Sequence, residues 1–112
     1  MEEIQIEENE QIVLDLGMHR RGELNESSLF MMGAKIKWML SRMFQGSPIN
    51  ATLRGNRREI SSFADTLSKE KRYMDAYTRY GLDNPNTHKS RYALQSAISK
   101  FERATKLKWP FK

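Results

Sequence analysis

The chain is 112 residues long, 38% hydrophobic and 29% charged, with no cysteine and a formal net charge of +5. That length suits one small domain with a modest core. The missing cysteines exclude a disulfide framework, a thiolate metal site and a cysteine nucleophile, as expected of a cytosolic protein. No apolar run approaches the roughly 18 residues needed to span a bilayer, and the start MEEIQIEENE is unlike a signal peptide.

Charge is polarised along the chain. Residues 1–32 hold eight Asp/Glu and two Arg, net −6, whereas residues 33–112 hold 17 Lys/Arg and six Asp/Glu, net +11. So basic a body suits an anionic partner such as nucleic acid. The other reading sets the acidic N-terminus against the basic body, or against another copy of it.

Residues 1–10 read as an acidic, flexible N-terminus, with residues 11–112 as a single domain. Gln11–Leu16 (QIVLDL) is β-favouring, but its apolar residues do not alternate strictly, so a strand buried on both faces and a short helical turn both remain open. Gly17–Gly22 is a connection between two glycines. A first helix is expected from Asn25 or Ser27 to Phe44, with Gly46 as its stop. Leu29, Met32, Ile36, Met39, Leu40 and Met43 form its main stripe, and Phe30, Ala34 and Trp38 form a second apolar face. Methionine adapts its shape, so this stripe reads either as core or as a docking groove.

Ser47-Pro48 is a breaker, and Ile49–Leu53 (INATL) alternates like a half-buried strand. The stretch from Gly55 to Gly81 is the clearest element. Asn56 followed by Glu59 forms a capping box. Ile60, Phe63, Ala64, Leu67, Met74 and Tyr77 lie along one face, interrupted by Lys71. Asp65–Lys69 and Asp75–Arg79 are i,i+4 pairs, and Gly81 is placed as the left-handed residue past the last turn. Strand, Arg54-Gly55 turn and helix N-terminus make a geometry suited to anion binding through free backbone N–H groups, with Arg57 and Arg58 beside it. The glycine spacing matches neither a P-loop nor a dinucleotide fingerprint.

Asn84-Pro85 opens a third helix to about Lys106, with Leu94, Ala97, Ile98, Phe101 and Ala104 as its stripe. The short connector makes this helix and the central one an antiparallel hairpin. Trp109 and Phe111 are too apolar to remain in water and are expected to latch back onto it, the alternative being a C-terminal peptide that docks in a partner.

No catalytic constellation is present in the sequence. His19 and His88 fall in separate connections without carboxylate partners arranged for a metal or a triad. The acids of the body sit mostly among basic residues, so no catalytic role, cofactor, metal or small-molecule substrate is expected. What stands out is basic surface interleaved with Tyr73, Tyr77, Tyr80 and Tyr92, in which rings stack on bases and cations hold phosphates.

From INATLRGNRREISSFADTLSKEKRYMDAY through GLDNPNTHKSRYALQSAISKFERATKLKWPFK, the C-terminal half resembles small uncharacterised proteins of large contractile-tailed bacteriophages. The strand–Arg-Gly–helix junction, the Lys-Glu-Lys-Arg-Tyr run, Gly-Leu-Asp-Asn-Pro and the Lys-Trp-Pro-Phe-Lys end carry the likeness, and residues 1–30 take no part in it. It implies a host-cytoplasm or virion setting and an assembly or host-interaction role.

The expected fold is mainly α with a minor β part: a long central helix, a C-terminal antiparallel helical hairpin and one or two short strands. The expected function is a small non-enzymatic binding module contacting nucleic-acid phosphates through Arg54, Arg57, Arg58, Lys69, Arg72, Lys89 and Arg91. The alternative is a structural or assembly protein that binds protein, or itself, through Met32, Ile36, Met39, Met43, Trp109 and Phe111.

Overall fold

In the computed structural model, which describes residues 11–111, the elements in order are β1 (Ile12–Asp15), α1 (Glu26–Gln45), β2 (Ala51–Arg54), α2 (Arg57–Tyr80) and α3 (Pro85–Thr105). The acidic segment 1–10, and with it any contact to the basic body, lies outside the described residues. The two strands pair in parallel with Ile12 opposite Ala51 and Asp15 opposite Arg54. Parallel strands need a crossover between them, and α1 supplies it.

Each helix starts and stops where local chemistry dictates. Asn25 caps α1 by accepting from Ser28 N, and Gly46 ends it in the left-handed region at φ 69°. Asn84 caps α3, with Pro85 at its first position, where the missing N–H is no loss. Asn56 and Glu59 complete the capping box of α2. Gly81 has a positive φ of 85°, but its ψ of 168° is extended, so it leaves α2 without the expected left-handed cap. His88, read as part of a connection, belongs to the first turn of α3.

The core gathers Leu14 and Leu16 from the β1 region, Met32, Ile36, Met39 and Leu40 from α1, Phe63 and Leu67 from α2, Phe101 from α3, and Leu107 and Trp109 beyond it. Ile12 and Leu14 are buried while Val13 is 40% exposed, so β1 buries one face only. The α2 stripe is displaced from its sequence-level reading. Ala64 and Tyr77 face solvent, whereas Glu59, Thr66 and Glu70 are buried. The displacement follows from the packing of α3, which meets α2 at the hydrogen bond from Thr66 Oγ1 to Ala97 O (3.1 Å). Asp65 pairs with Lys69 as expected (2.6 Å), but Asp75 pairs with Lys71 (2.8 Å) and not with Arg79.

Trp109 folds back onto the helices and is 2% exposed. Its ring lies 5.2 Å from Phe101 and 6.0 Å from Phe63, with Phe111 stacked edge-on outside it at 6.2 Å. Its two N–H groups are held by acids from both hairpin helices. The indole Nε1 donates to Glu70 Oε1 (2.9 Å) and the backbone N to Glu102 Oε2 (2.8 Å).

Candidate functional site

The junction of β2 and α2 carries the sequence-level anion site, and its geometry is built around an internal anion. Gly55 sits at φ 155°, and a Cβ there would fall 2.9 Å from Glu59 Oε1 and 3.4 Å from Leu16 Cβ. This close approach lets the Glu59 carboxylate turn back under the chain. Glu59 Oε1 accepts from Asn56 N (2.8 Å), and Asn56 Oδ1 accepts from Glu59 N (2.8 Å). Arg20, from the Gly17–Gly22 turn, closes the arrangement with Nη2 to Oε1 (3.1 Å) and Nε to Oε2 (3.3 Å). Burial works to raise the Glu59 carboxyl, but the Arg20 guanidinium and the Asn56 N–H outweigh it and hold it below the ordinary carboxylate range. The cap N–H expected to await an external anion is therefore already engaged by Glu59.

A second ion network braces the same turn. Arg21 binds both Asp15 and Glu23 and donates to the latter at 2.9 Å. Asp15 also accepts from Gly17 N (3.0 Å), and these donors hold its carboxyl low against the opposing effect of burial. The sequence marks Gly17–Gly22 only as a connection, and the adjacent Arg20-Arg21 pair following Asp15 is its one local sign of this network.

The seven cations predicted for phosphate contact do not form one patch. Arg54 ends β2 opposite Asp15 in register, and Arg57 is exposed on the first turn of α2. Arg58 instead lines a groove of about 370 Å³ between the start of α2 and the end of α3, together with Ser61, Ser62, Asp65, Lys100 and Arg103. Along α2, Arg58, Asp65, Arg72 and Arg79 recur every seven residues and are all exposed. Along α3, Lys89, Ser96 and Arg103 do the same, with Lys100 between the last two. Sevenfold spacing returns nearly to one azimuth on a helix, so these are two rows flanking the Thr66–Ala97 seam on the solvent side of the hairpin. Lys69 joins them, paired to Asp65. Lys100 and Arg103 line this groove although the sequence does not single them out, because nothing local distinguishes them from a solvated helix face. Arg91 departs from the group and lines a different groove with Tyr73 and Tyr77.

The residues proposed for protein docking are mostly inside the fold. Met32, Ile36, Met39 and Trp109 are 5% exposed or less, and Met43 and Phe111 pack against the same core. Their apolar surface is taken up by β1, α2 and α3. What α1 leaves in solvent is Phe30, Met31 and Phe44. Lys35 Nζ donates to Val13 O (2.8 Å), occupying one carbonyl on the outer edge of β1.

The groove containing Arg91 is the larger, about 800 Å³, and runs along the other side of the hairpin. Its floor includes Glu70, which is 3% exposed, contrary to the expectation that acids of the body stay on the surface. Burial raises the Glu70 carboxyl above its ordinary range, and the Trp109 indole offsets only part of that. Among the described residues no group of three or more His, Asp or Glu is arranged to hold a metal ion. No helix among them is long and apolar enough to cross a membrane. No family model, curated protein or solved structure matches the chain.

Proposed function

We propose that this chain is a small, non-catalytic binding module whose outer hairpin face contacts the phosphates of nucleic acid. The observation that carries the reading is the convergence of Arg58, Lys100 and Arg103, with the hydroxyls of Ser61 and Ser62, in one open groove. Guanidinium and ammonium groups supply charge-assisted donors to phosphate oxygens, and hydroxyls add neutral ones. The rows that continue from this groove, through Arg72 and Arg79 on α2 and Lys89 on α3, extend the positive surface along the hairpin. Tyr92, one turn beyond Lys89 and 73% exposed, offers a ring for an unstacked base. Asp65 is the one acid in the groove and is paired with Lys69 (2.6 Å). Such a face positions a backbone and reads little sequence.

The test is a mobility-shift titration with single- and double-stranded oligonucleotides across a salt series. With three groove cations on phosphates, the log–log salt slope falls to about −3 for duplex, at about 0.9 per phosphate neutralised. Combined Arg58→Ala, Lys100→Ala and Arg103→Ala substitution removes most of that slope, while Arg57→Ala changes it little. No shift at low salt, or a slope untouched by the triple variant, refutes the reading.

The rival reading, an assembly or host-interaction protein, rests on the exposed Phe30, Met31 and Phe44 of α1. Light scattering tests its self-associating form, since a strict monomer at high concentration argues against it. The resemblance of the C-terminal half to phage proteins supports a host-cytoplasm or virion setting under either reading.

A further inference from the structure

The groove lined by Glu70 shares no residue with the basic groove at the start of α2. Its character is also opposite. Three acids, Glu70, Asp83 and Glu102, line it against one permanent cation, Arg91, in a chain whose net charge is +5. Its walls are largely apolar, with Tyr73 and Tyr77 along α2 (ring centroids 5.4 Å apart), Leu94 and Ile98 along α3, and Phe111 at one end. About 800 Å³ lies within the range of sites for small organic molecules.

Glu70 is the unusual member. It is 97% buried, yet it makes a single hydrogen bond among the described residues, through Oε1 to the Trp109 indole (2.9 Å). No buried side-chain oxygen or nitrogen among those residues lacks a partner, so Oε2 meets the groove and not the packed interior. A carboxylate oxygen without a protein donor, set in an apolar wall, is matched by a ligand that brings its own N–H groups and positive charge. Glu102 lines the same groove and accepts from the Trp109 backbone N (2.8 Å). The aromatic rings that line the groove favour a cation further through their negative faces. With α2 and α3 levelled at the Thr66–Ala97 hydrogen bond, Glu70 lies about 6 Å along the seam and Tyr73 about 10 Å, at 1.5 Å per helical residue. A ligand with its charged head at Glu70 lays a flat body of one ring toward Tyr73 and Leu94.

We propose that this groove is a binding site for a small organic cation, an ammonium or amidinium group on a planar apolar body, with Glu70 as the carboxylate that receives it. The site is independent of the nucleic-acid reading and stands or falls separately.

Three probes of one shape and different head charge test it: benzamidine, benzamide and benzoate. The full chain is titrated with each, following the Trp109 indole N–H in nitrogen-resolved NMR, assigned with Trp38→Phe. Benzamidine is expected to shift that resonance saturably with Kd near or below about 1 mM. Benzamide is expected to bind at least ten-fold more weakly, and benzoate not at all. Glu70→Gln keeps the size and the acceptor for Trp109 but removes the charge, and should reduce benzamidine to the affinity of benzamide. Arg57→Ala alters an exposed residue that lines neither groove, and should leave benzamidine binding unchanged. Equal binding of the three probes, benzamidine binding that survives Glu70→Gln, or its loss in Arg57→Ala would each overturn the assignment. So would the absence of any saturable shift.

Discussion

Replacing Glu59 by Ala removes the centre of the junction between the Gly17–Gly22 turn, β2 and α2. Glu59 is 1% exposed and accepts from Asn56 N at 2.8 Å and from Arg20 at 3.1 and 3.3 Å. The Asn56 half of the capping box survives, because Asn56 Oδ1 still accepts from the backbone N of residue 59. What is lost is a buried charge-assisted acceptor for the cap N–H, worth about 1.5–3 kcal/mol. The ion pair adds little, since the Arg20 side chain is 50% exposed and half-solvated pairs contribute about 0–1 kcal/mol. The expected cost of Glu59→Ala is therefore about 2–4 kcal/mol, which lowers the melting temperature by about 10–20 °C in a domain of this size. Arg20→Ala should cost no more than about 1 kcal/mol, and Glu59→Gln should fall between, since an amide oxygen can still accept from the cap. Chemical and thermal denaturation of the three variants measures the order. If Arg20→Ala destabilises as much as Glu59→Ala, the ion pair and not the cap holds the junction, and the exposure argument fails. A pH series adds a second check. Because the Glu59 carboxyl is held low in the folded chain, its stabilisation is present above the unfolded carboxylate value of about 4.5 and is lost as pH falls below it. Glu59→Ala should therefore show a shallower acid-side decline than the parent chain.

Gly55→Ala places a Cβ 2.9 Å from Glu59 Oε1 at φ 155°, so a loss of about 1–3 kcal/mol is expected in denaturant melts. An unchanged midpoint would mean the turn relaxes freely. Trp109→Phe keeps the ring contacts to Phe63 and Phe101 but leaves Glu70 Oε1 without its donor, for about 1–3 kcal/mol. Removing residues 109–112 should cost more, about 3–5 kcal/mol, and an unaltered melting temperature after truncation would show that the C-terminal end is not part of the core. Glu70 titrates in the opposite sense to Glu59. Its folded carboxyl is raised, so the folded chain holds that proton more tightly and loses stability as pH rises through the window above about 4.5. Glu70→Gln should accordingly gain on the parent at neutral pH, the gap closing toward pH 4 or so; parallel stability curves would refute that account.

Most of the local architecture was legible from residues one helical turn apart. Asn25 and Gly46 around α1, the Asn56/Glu59 box and Asn84-Pro85 each act on backbone groups three or four positions away, so their meaning survives without tertiary context. The alternation at Ile49–Leu53 places this strand one or two residues early, because its partner β1, 39 residues back in register, fixes the paired length. The candidate site was legible in kind but not in arrangement. A basic hairpin surface followed from charge alone. That Arg58 meets Lys100 and Arg103 while Arg91 turns to another groove depends on how α3 lies against α2.

What the chain determined by itself is the order of its elements, their caps and the sign of its surface, all set by interactions within a turn or by composition. Tertiary packing decided which side of α2 became interior, and with it the fate of two acids. A helix stripe read by apolar identity chooses Ala64 and Tyr77. The packed hairpin buries Glu59, Thr66 and Glu70 in their place, because Arg20, Ala97 and Trp109 arrive from 31 or 39 residues away to satisfy them. A buried polar group is stable only with its partner present, and no local pattern announces a partner so distant in sequence.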